Sequence, residues 1–174
     1  MDILVSVSTC DYIRPYCAII DAEVHIDSFS GRCKEYHYTP IDVTDVKLER
    51  LNRQTFFTHA WTVKRTVDHF DKITIVVMRC ASPDGADYCE SFRNVSLRNF
   101  ETFITNSASP WSRLFGYDPP LRFPLKPGKY LSKRQRIDDS VKIFALSGYW
   151  KVKVVGFEPN GNPMICIQAE GSTN

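Results

Sequence analysis

The end of the chain alternates apolar and charged side chains with a period of two, and this pattern restricts the fold more than any other feature of the sequence. Trp150, Val152 and Val154 would point to one face of a strand, and the two lysines between them would point to the other. A period of two is typical of a half-buried β-strand and is incompatible with a helix. Residues 149–157 are therefore predicted to be a strand with one face in water.

A turn and a returning strand follow. Asn160 and Gly161 tolerate positive φ, and the prolines on either side of them interrupt strand pairing. The next segment, residues 164–169, is rich in residues that favour strands and carries Cys166. We therefore predict a closing hairpin that a disulfide attaches to another part of the fold.

Three further segments have strand patterns. Residues 55–67 alternate about one apolar face, residues 73–78 are apolar on both faces, as in a central strand, and residues 43–51 fit an earlier strand. The apolar face of the first of these segments carries Phe57, His59, Trp61 and Val63.

A short helix is expected after the central strand. Four apolar residues recur there at helical spacing, and Asn94 or Ser96 could cap the first turn. The four residues are Leu97, Phe100, Phe103 and Ile104.

Residues 109–121 form a proline-punctuated loop with an unusual density of large apolar groups, namely Trp111, Leu114, Phe115 and Tyr117. Loops usually run over the surface and are polar. These side chains are therefore either a plug folded into the core or a mobile lip that touches lipid at the mouth of a cavity.

Six cysteines suggest an oxidising compartment and three disulfides, for which fifteen pairings exist. The residues between Cys80 and Cys89 are mostly turn formers, so these two can close a local strand-to-strand turn. Free thiols or zinc ligands are the alternative, but the four histidines lie at no recognised ligand spacing from the cysteines. No metal or other cofactor is expected.

Charge and motifs narrow the function classes. A net charge of +2, from 22 basic and 20 acidic residues, argues against a nucleic-acid-binding protein, which would normally show a basic stripe. The chain has no G-x-S-x-G, no H-E-x-x-H and no glycine-rich phosphate loop, so an enzyme is not expected. In contrast, 11 phenylalanines, 8 tyrosines and 3 tryptophans exceed what a filled sandwich core requires and favour a lined cavity.

The first residues fit neither a signal peptide nor a membrane span, because their apolar run is short and acidic-flanked. We expect a signal segment to have been removed. Residues 1–28 are read as an amino-terminal extension, either an appended strand or partly residues added in cloning, and residues 29–174 as the main domain. Asn94-Val95-Ser96 is a glycosylation acceptor at Asn94.

Several short motifs occur in an order that resembles the ganglioside activator branch of the ML lipid-recognition superfamily. They lie between about residues 29 and 171. The motifs are Phe29 to Cys33, Ile73 to Cys80 followed by Cys89, Pro124-Leu125 with Gly128-Lys129-Tyr130, Leu146 to Val152, and Gly161 to Ile167. The segment Leu51 to Phe57 is similar to one in insect relatives linked to chemosensation.

The resemblance implies a disulfide between Cys33 and Cys166 and another between Cys80 and Cys89, which leaves Cys10 to pair with Cys17. The family's two further bridges near the helix and the following loop have no counterpart here. Phe123 stands where a cysteine would precede Pro124.

We therefore expect an all-β sandwich of two antiparallel sheets, opened into an apolar cup, with one short helix. The resemblance implies a secreted or lysosomal lipid-binding protein that contacts membranes transiently and presents its ligand to a glycoside hydrolase or a receptor. The rival hypothesis is an immunoglobulin-like adhesion module with a filled core, and each proposed lining residue is equally compatible with plain core packing. The residues expected to line the cup are Phe57, Trp61, Val63, Ile75, Val77, Phe100, Phe103, Ile104, Trp150, Val152, Val154 and Ile167.

Overall fold

The structure, a computed structural model, describes residues 2–9, 18–51, 54–82, 88–105, 116–136 and 148–173. In these ranges, nearly all regular structure is β. In chain order the elements are β1 (Asp2–Thr9), β2 (Ala18–Ser30), β3 (Ile41–Leu51), β4 (Gln54–Val63), β5 (Lys72–Cys80), β6 (Cys89–Arg98), α1 (Phe100–Thr105), β7 (Tyr117–Asp118), β8 (Gly128–Ser132), β9 (Gln135–Arg136), β10 (Gly148–Phe157) and β11 (Pro163–Thr173).

The strands form two antiparallel sheets, which confirms the predicted all-β sandwich. The first sheet has the order β1-β2-β11-β10-β5-β6, and the second has the order β3-β4-β8-β7 with β9 also paired to β4. Strand β5 pairs with a neighbour on each side, as its two apolar faces predicted. Strand β2 pairs with both β1 and β11, so the described part of residues 1–28 extends the first sheet.

The carboxyl-terminal hairpin has the predicted form. Strands β10 and β11 pair along their length, and the backbone N–H of Gly161 donates to the carbonyl of Glu158 at 2.9 Å. Gly161 has a φ of 82°, a conformation that costs glycine little. Strand β11 continues beyond the predicted end at Ala169 and reaches Thr173.

The helix is shorter than predicted. It spans Phe100–Thr105, whereas Leu97, Asn94 and Ser96 all belong to β6, so the predicted caps are wrong. The backbone N–H of Phe70 donates to a carboxylate oxygen of Glu101 at 2.7 Å. This bond ties the helix to the segment that precedes β5.

Two predicted disulfides are present. Cys33 and Cys166 are bonded with a Cα–Cα distance of 5.6 Å, and Cys80 and Cys89 with one of 4.0 Å. The second pair lies directly opposite in the β5–β6 register. Cys10 and Cys17 lie outside the described residues.

The core lies between the sheets and includes the fully buried ring of Phe70. This ring contacts Trp61, Phe100 and Phe123, with centroid distances between 5.4 and 6.3 Å. Phe123, which is partly buried, therefore packs against the core. The buried residues of this cluster are Ile41, Val43, Trp61, Val63, Val67, Phe70, Ile73, Phe100, Ile104, Tyr117, Leu121, Leu125, Tyr130, Met164 and Ile165.

Candidate functional site

The register brings several predicted cup residues into one apolar row on the inner face of the first sheet. Val154 of β10 lies opposite Ile75 of β5 on one side and Ile167 of β11 on the other. Val152 lies opposite Val77 in the same way. Directly opposed residues of antiparallel strands share a face, so these side chains form one surface.

The inner face of the second sheet supplies the facing residues. Phe57, Trp61 and Val63 alternate along β4, and Tyr130 lies opposite Trp61. Phe29 of the first sheet approaches Phe57 of the second, with ring centroids 6.0 Å apart. The two inner faces therefore contact each other at this position.

The predicted cup residues divide into two groups by burial. Trp61, Val63, Phe100 and Ile104 are buried in the cluster around Phe70 and serve as core packing. In contrast, the inward-facing side chains of five others are only half-buried. These are Phe57, Ile75, Val152, Val154 and Ile167.

Trp150 and Val77 belong to neither group. Both are buried, yet neither joins the cluster around Phe70. The indole of Trp150 meets the ring of Phe92 edge-on at 5.0 Å, and the guanidinium of Arg79 lies 5.9 Å from its centroid. Trp150 is therefore covered by its immediate neighbours on β5 and β6.

The predicted lip is only partly described. Trp111, Leu114 and Phe115, together with the side chain of Phe103, lie outside the described residues. Tyr117 is 3% exposed and packs against Trp61 with a centroid distance of 5.3 Å. For Tyr117, the plug is the alternative that fits, and a role as an exposed membrane contact does not.

A histidine lies among the aromatic residues of the second sheet, and the sequence did not identify it as a site residue. His59 shares the inner face of β4 with Phe57, and their rings stack at 4.7 Å. Its Nε2 is 2.5 Å from the hydroxyl oxygen of Tyr117, and its backbone N–H donates to Ser132 Oγ at 2.7 Å. The ring is thus fixed in position by contacts on several sides.

The other ring nitrogen of His59 is left without a partner. Nδ1 is buried, and no described residue forms a hydrogen bond with it. Burial lowers the pKa of His59 to about 4, so the imidazole is neutral at pH 7. Burial also raises the pKa of the Tyr117 hydroxyl, which stays protonated.

A depression of about 550 Å³ lies at the ends of β5 and β6. Its lining includes Arg79, Tyr88, Glu90 and the Cys80–Cys89 bridge. None of the predicted cup residues lines it, so it is separate from the inner apolar row.

Other site predictions have these positions. Asn94 is exposed on β6, where a glycan on the predicted acceptor would meet solvent. Within the described ranges, no three His, Cys, Asp or Glu side chains are grouped as metal ligands would be. Among the helices of the described part, none is long and apolar enough to cross a membrane.

Comparison of the sequence with models of known protein families gives no match. Comparison with curated proteins likewise gives no significant match.

Proposed function

We propose that this protein binds a lipid or another apolar small molecule between its two sheets and carries or presents it outside the cytoplasm. The observation that supports this proposal most is the row formed by Ile75, Val154 and Ile167, which faces inward and yet remains half-buried. Within the described residues, these side chains pack against the core cluster and still keep part of their surface accessible. Inward-facing apolar surface that the described residues do not fully cover favours an apolar ligand.

The energetics favour acyl chains or comparable hydrocarbons. Each methylene transferred from water to such a surface contributes about 0.8 kcal/mol, so a chain of about a dozen carbons supplies most of the affinity without any charged contact. The binding step needs no catalytic group. Release or presentation would then depend on contact with a membrane surface, an enzyme or a receptor.

The two disulfides are consistent with a secreted or lumenal protein. The order of motifs that resembles the ganglioside activator branch supports the same proposal. The resemblance to that branch implies that the protein extracts lipids from membranes and presents them to a glycoside hydrolase.

Native mass spectrometry of the protein secreted from eukaryotic cells, followed by organic extraction, tests this function. We expect co-purified lipid or hydrocarbon in the wild type and its loss in Val152→Asp, because the new carboxylate enters the inner apolar face. Val76→Asp is the matched control, since Val76 lies on the outer face of β5 opposite Lys153.

Ligand retained in Val76→Asp and lost in a folded Val152→Asp would support the proposal. A wild type that is empty and takes up neither fatty acids nor phospholipids would contradict it. In that case the filled-core interaction module is the better hypothesis.

A further inference from the structure

His59 is a polar side chain that lies between apolar side chains on the inner face of β4. On its strand, the inner-face neighbours two residues away are Phe57 and Trp61, both aromatic. Phe57 in turn contacts Phe29 of the opposite sheet. Phe29 pairs with Ala169, two residues along the same face from Ile167. Two rings, those of Phe57 and Phe29, therefore connect His59 to the half-buried row.

In the pair formed by His59 and Tyr117, the Nδ1 of His59 has no hydrogen-bond partner among the described residues. Neutral histidine has one nitrogen that donates and one that accepts, and contact with the Tyr117 hydroxyl uses Nε2 alone. Whichever tautomer is present, Nδ1 offers one donor or one acceptor. A buried polar atom without a partner is costly, and such atoms often mark a place where a ligand or water binds.

We propose that His59, oriented by Tyr117, binds the single oxygen function of an otherwise apolar ligand, so that the ligand class is a neutral oxygenated hydrocarbon such as a long-chain alcohol, ester or ketone. This inference rests on the proposed function and specifies its ligand. A neutral oxygen matches a neutral imidazole in charge and supplies the missing partner of Nδ1.

A free fatty acid fits this site less well. At neutral pH its carboxylate would lose hydration next to an uncharged imidazole and an uncharged phenol, neither of which repays the cost of burying a charge. Burial lowers the pKa of His59, which works against an ion pair with the carboxylate. The pair therefore discriminates by charge as well as by hydrogen bonding.

The test compares dodecan-1-ol, dodecane and dodecanoate as competitors for the fluorescent probe N-phenyl-1-naphthylamine at pH 7. For each competitor, we compare the dissociation constant for His59→Phe with that for wild type. The ratio of the two constants cancels differences in water solubility between the competitors. Phenylalanine keeps the stacking on Phe57 and removes both nitrogens. We expect dodecan-1-ol to bind roughly three- to tenfold more weakly to the variant, with dodecane and dodecanoate changed less than twofold.

Tyr130→Phe is the matched control. It removes a hydroxyl from the same inner face, but that hydroxyl bonds to the backbone of Lys126. The variant should leave the three competitors in their wild-type order. Equal losses for dodecan-1-ol and dodecane in His59→Phe would overturn the inference, as would a dodecanoate loss as large as that for the alcohol.

A second measurement does not depend on any variant. In wild-type protein with ¹⁵N-labelled histidine, dodecan-1-ol should shift the Nδ1 resonance of His59 and dodecane should not. An unchanged resonance on saturation with the alcohol would indicate that Nδ1 faces water or protein, and would overturn the inference while leaving the proposed function intact. A wild type that binds neither the probe nor any competitor contradicts the proposed function itself.

Discussion

At the scale of single residues, the surroundings of His59 determine its charge. Aromatic rings and the Tyr117 hydroxyl surround the imidazole, and its burial opposes protonation. A histidine in the unfolded chain has a pKa of about 6.5, so the charge of His59 differs most between the folded and unfolded states at mildly acidic pH.

The stability of the fold should therefore fall as the pH falls below 6.5. Between that value and the folded pKa of about 4, the unfolded chain takes up a proton that the folded state does not. His59 would lower the free energy of unfolding by at most about 3 kcal/mol over this interval and by nothing further below it. Urea denaturation at pH 7 and pH 4 measures how much the free energy of unfolding changes with pH in wild type and in His59→Phe.

Comparing the change in the free energy of unfolding between the two pH values removes any effect of the substitution that does not depend on pH. Parallel losses of stability in the two proteins would show that other groups carry the acid sensitivity.

The pairing of His59 with Tyr117 could not be predicted from the sequence. The two residues are 58 positions apart, and Tyr117 follows a segment with no periodic pattern. One signal was available, since His59 alternates with Phe57 and Trp61 and so falls on an apolar face. A polar residue in that position requires a partner, but the pattern does not say which one.

At the scale of secondary-structure elements, prediction succeeded where burial imposes a strict period. Strands β4, β5 and β10 each have one or two apolar faces, so the chain shows their alternation directly. The predicted helix was too long because the position of Leu97 fits both a helix and a strand. It lies three residues before Phe100, as in a helix, and two after Val95, as in a strand, and pairing with Ile73 of β5 decides between them.

Strands β7 and β9 had no comparable signal. Each has two residues, and neither is long enough to establish a period. Their pairing depends on contacts with β8 and β4 that are distant in sequence.

A glycine in β10 allows a close contact between the elements of the core. A methyl group at Gly156 would lie 2.5 Å from Cε1 of Phe70 and 2.9 Å from Cγ2 of Ile165. We expect Gly156→Ala to lower the free energy of unfolding by about 1–3 kcal/mol, because the displaced ring is fully buried and contacts three other aromatic rings. Chemical denaturation measures this change.

Gly116→Ala is the matched control for this substitution. Among the described residues, its added methyl would meet only the side chain of Lys133, at 3.7 Å, so little loss is expected. Similar losses at both glycines would show that the contact with Phe70 is not the cause of the effect.

At the scale of the whole molecule, the two disulfides seen among the described residues differ in the length of chain they enclose. Cys33 and Cys166 are 133 residues apart, whereas Cys80 and Cys89 are 9 apart. In the loop-entropy account, the longer connection restricts the unfolded chain more, by about 2 kcal/mol. Replacing Cys33 and Cys166 by alanine should therefore destabilise the protein more than replacing the other pair.

Denaturation of the two double variants without reductant provides this comparison. Both cysteines of the longer bridge are buried beside Val155, so the loss of packing acts in the same direction. A larger effect from the shorter bridge would mean that the strand pairing it holds matters more than chain entropy.

The whole-molecule arrangement also explains why the sequence could not separate a filled core from a cup. Both need the same inward-facing residues, and the pattern reports orientation but not packing. The structure distinguishes Trp61 and Val63, which are buried, from Ile75 and Ile167, which are half-buried, although all four are apolar residues on inward-facing positions.

The bridge between Cys33 and Cys166 has a consequence for the lifetime of the protein among proteases. A single cut anywhere between these positions yields two fragments that remain covalently joined, with the last strand still attached to the start of the fold. The pieces cannot diffuse apart, so the sheets can re-form around the break. A nicked molecule of this kind would keep its two fragments together until a reductant separates them.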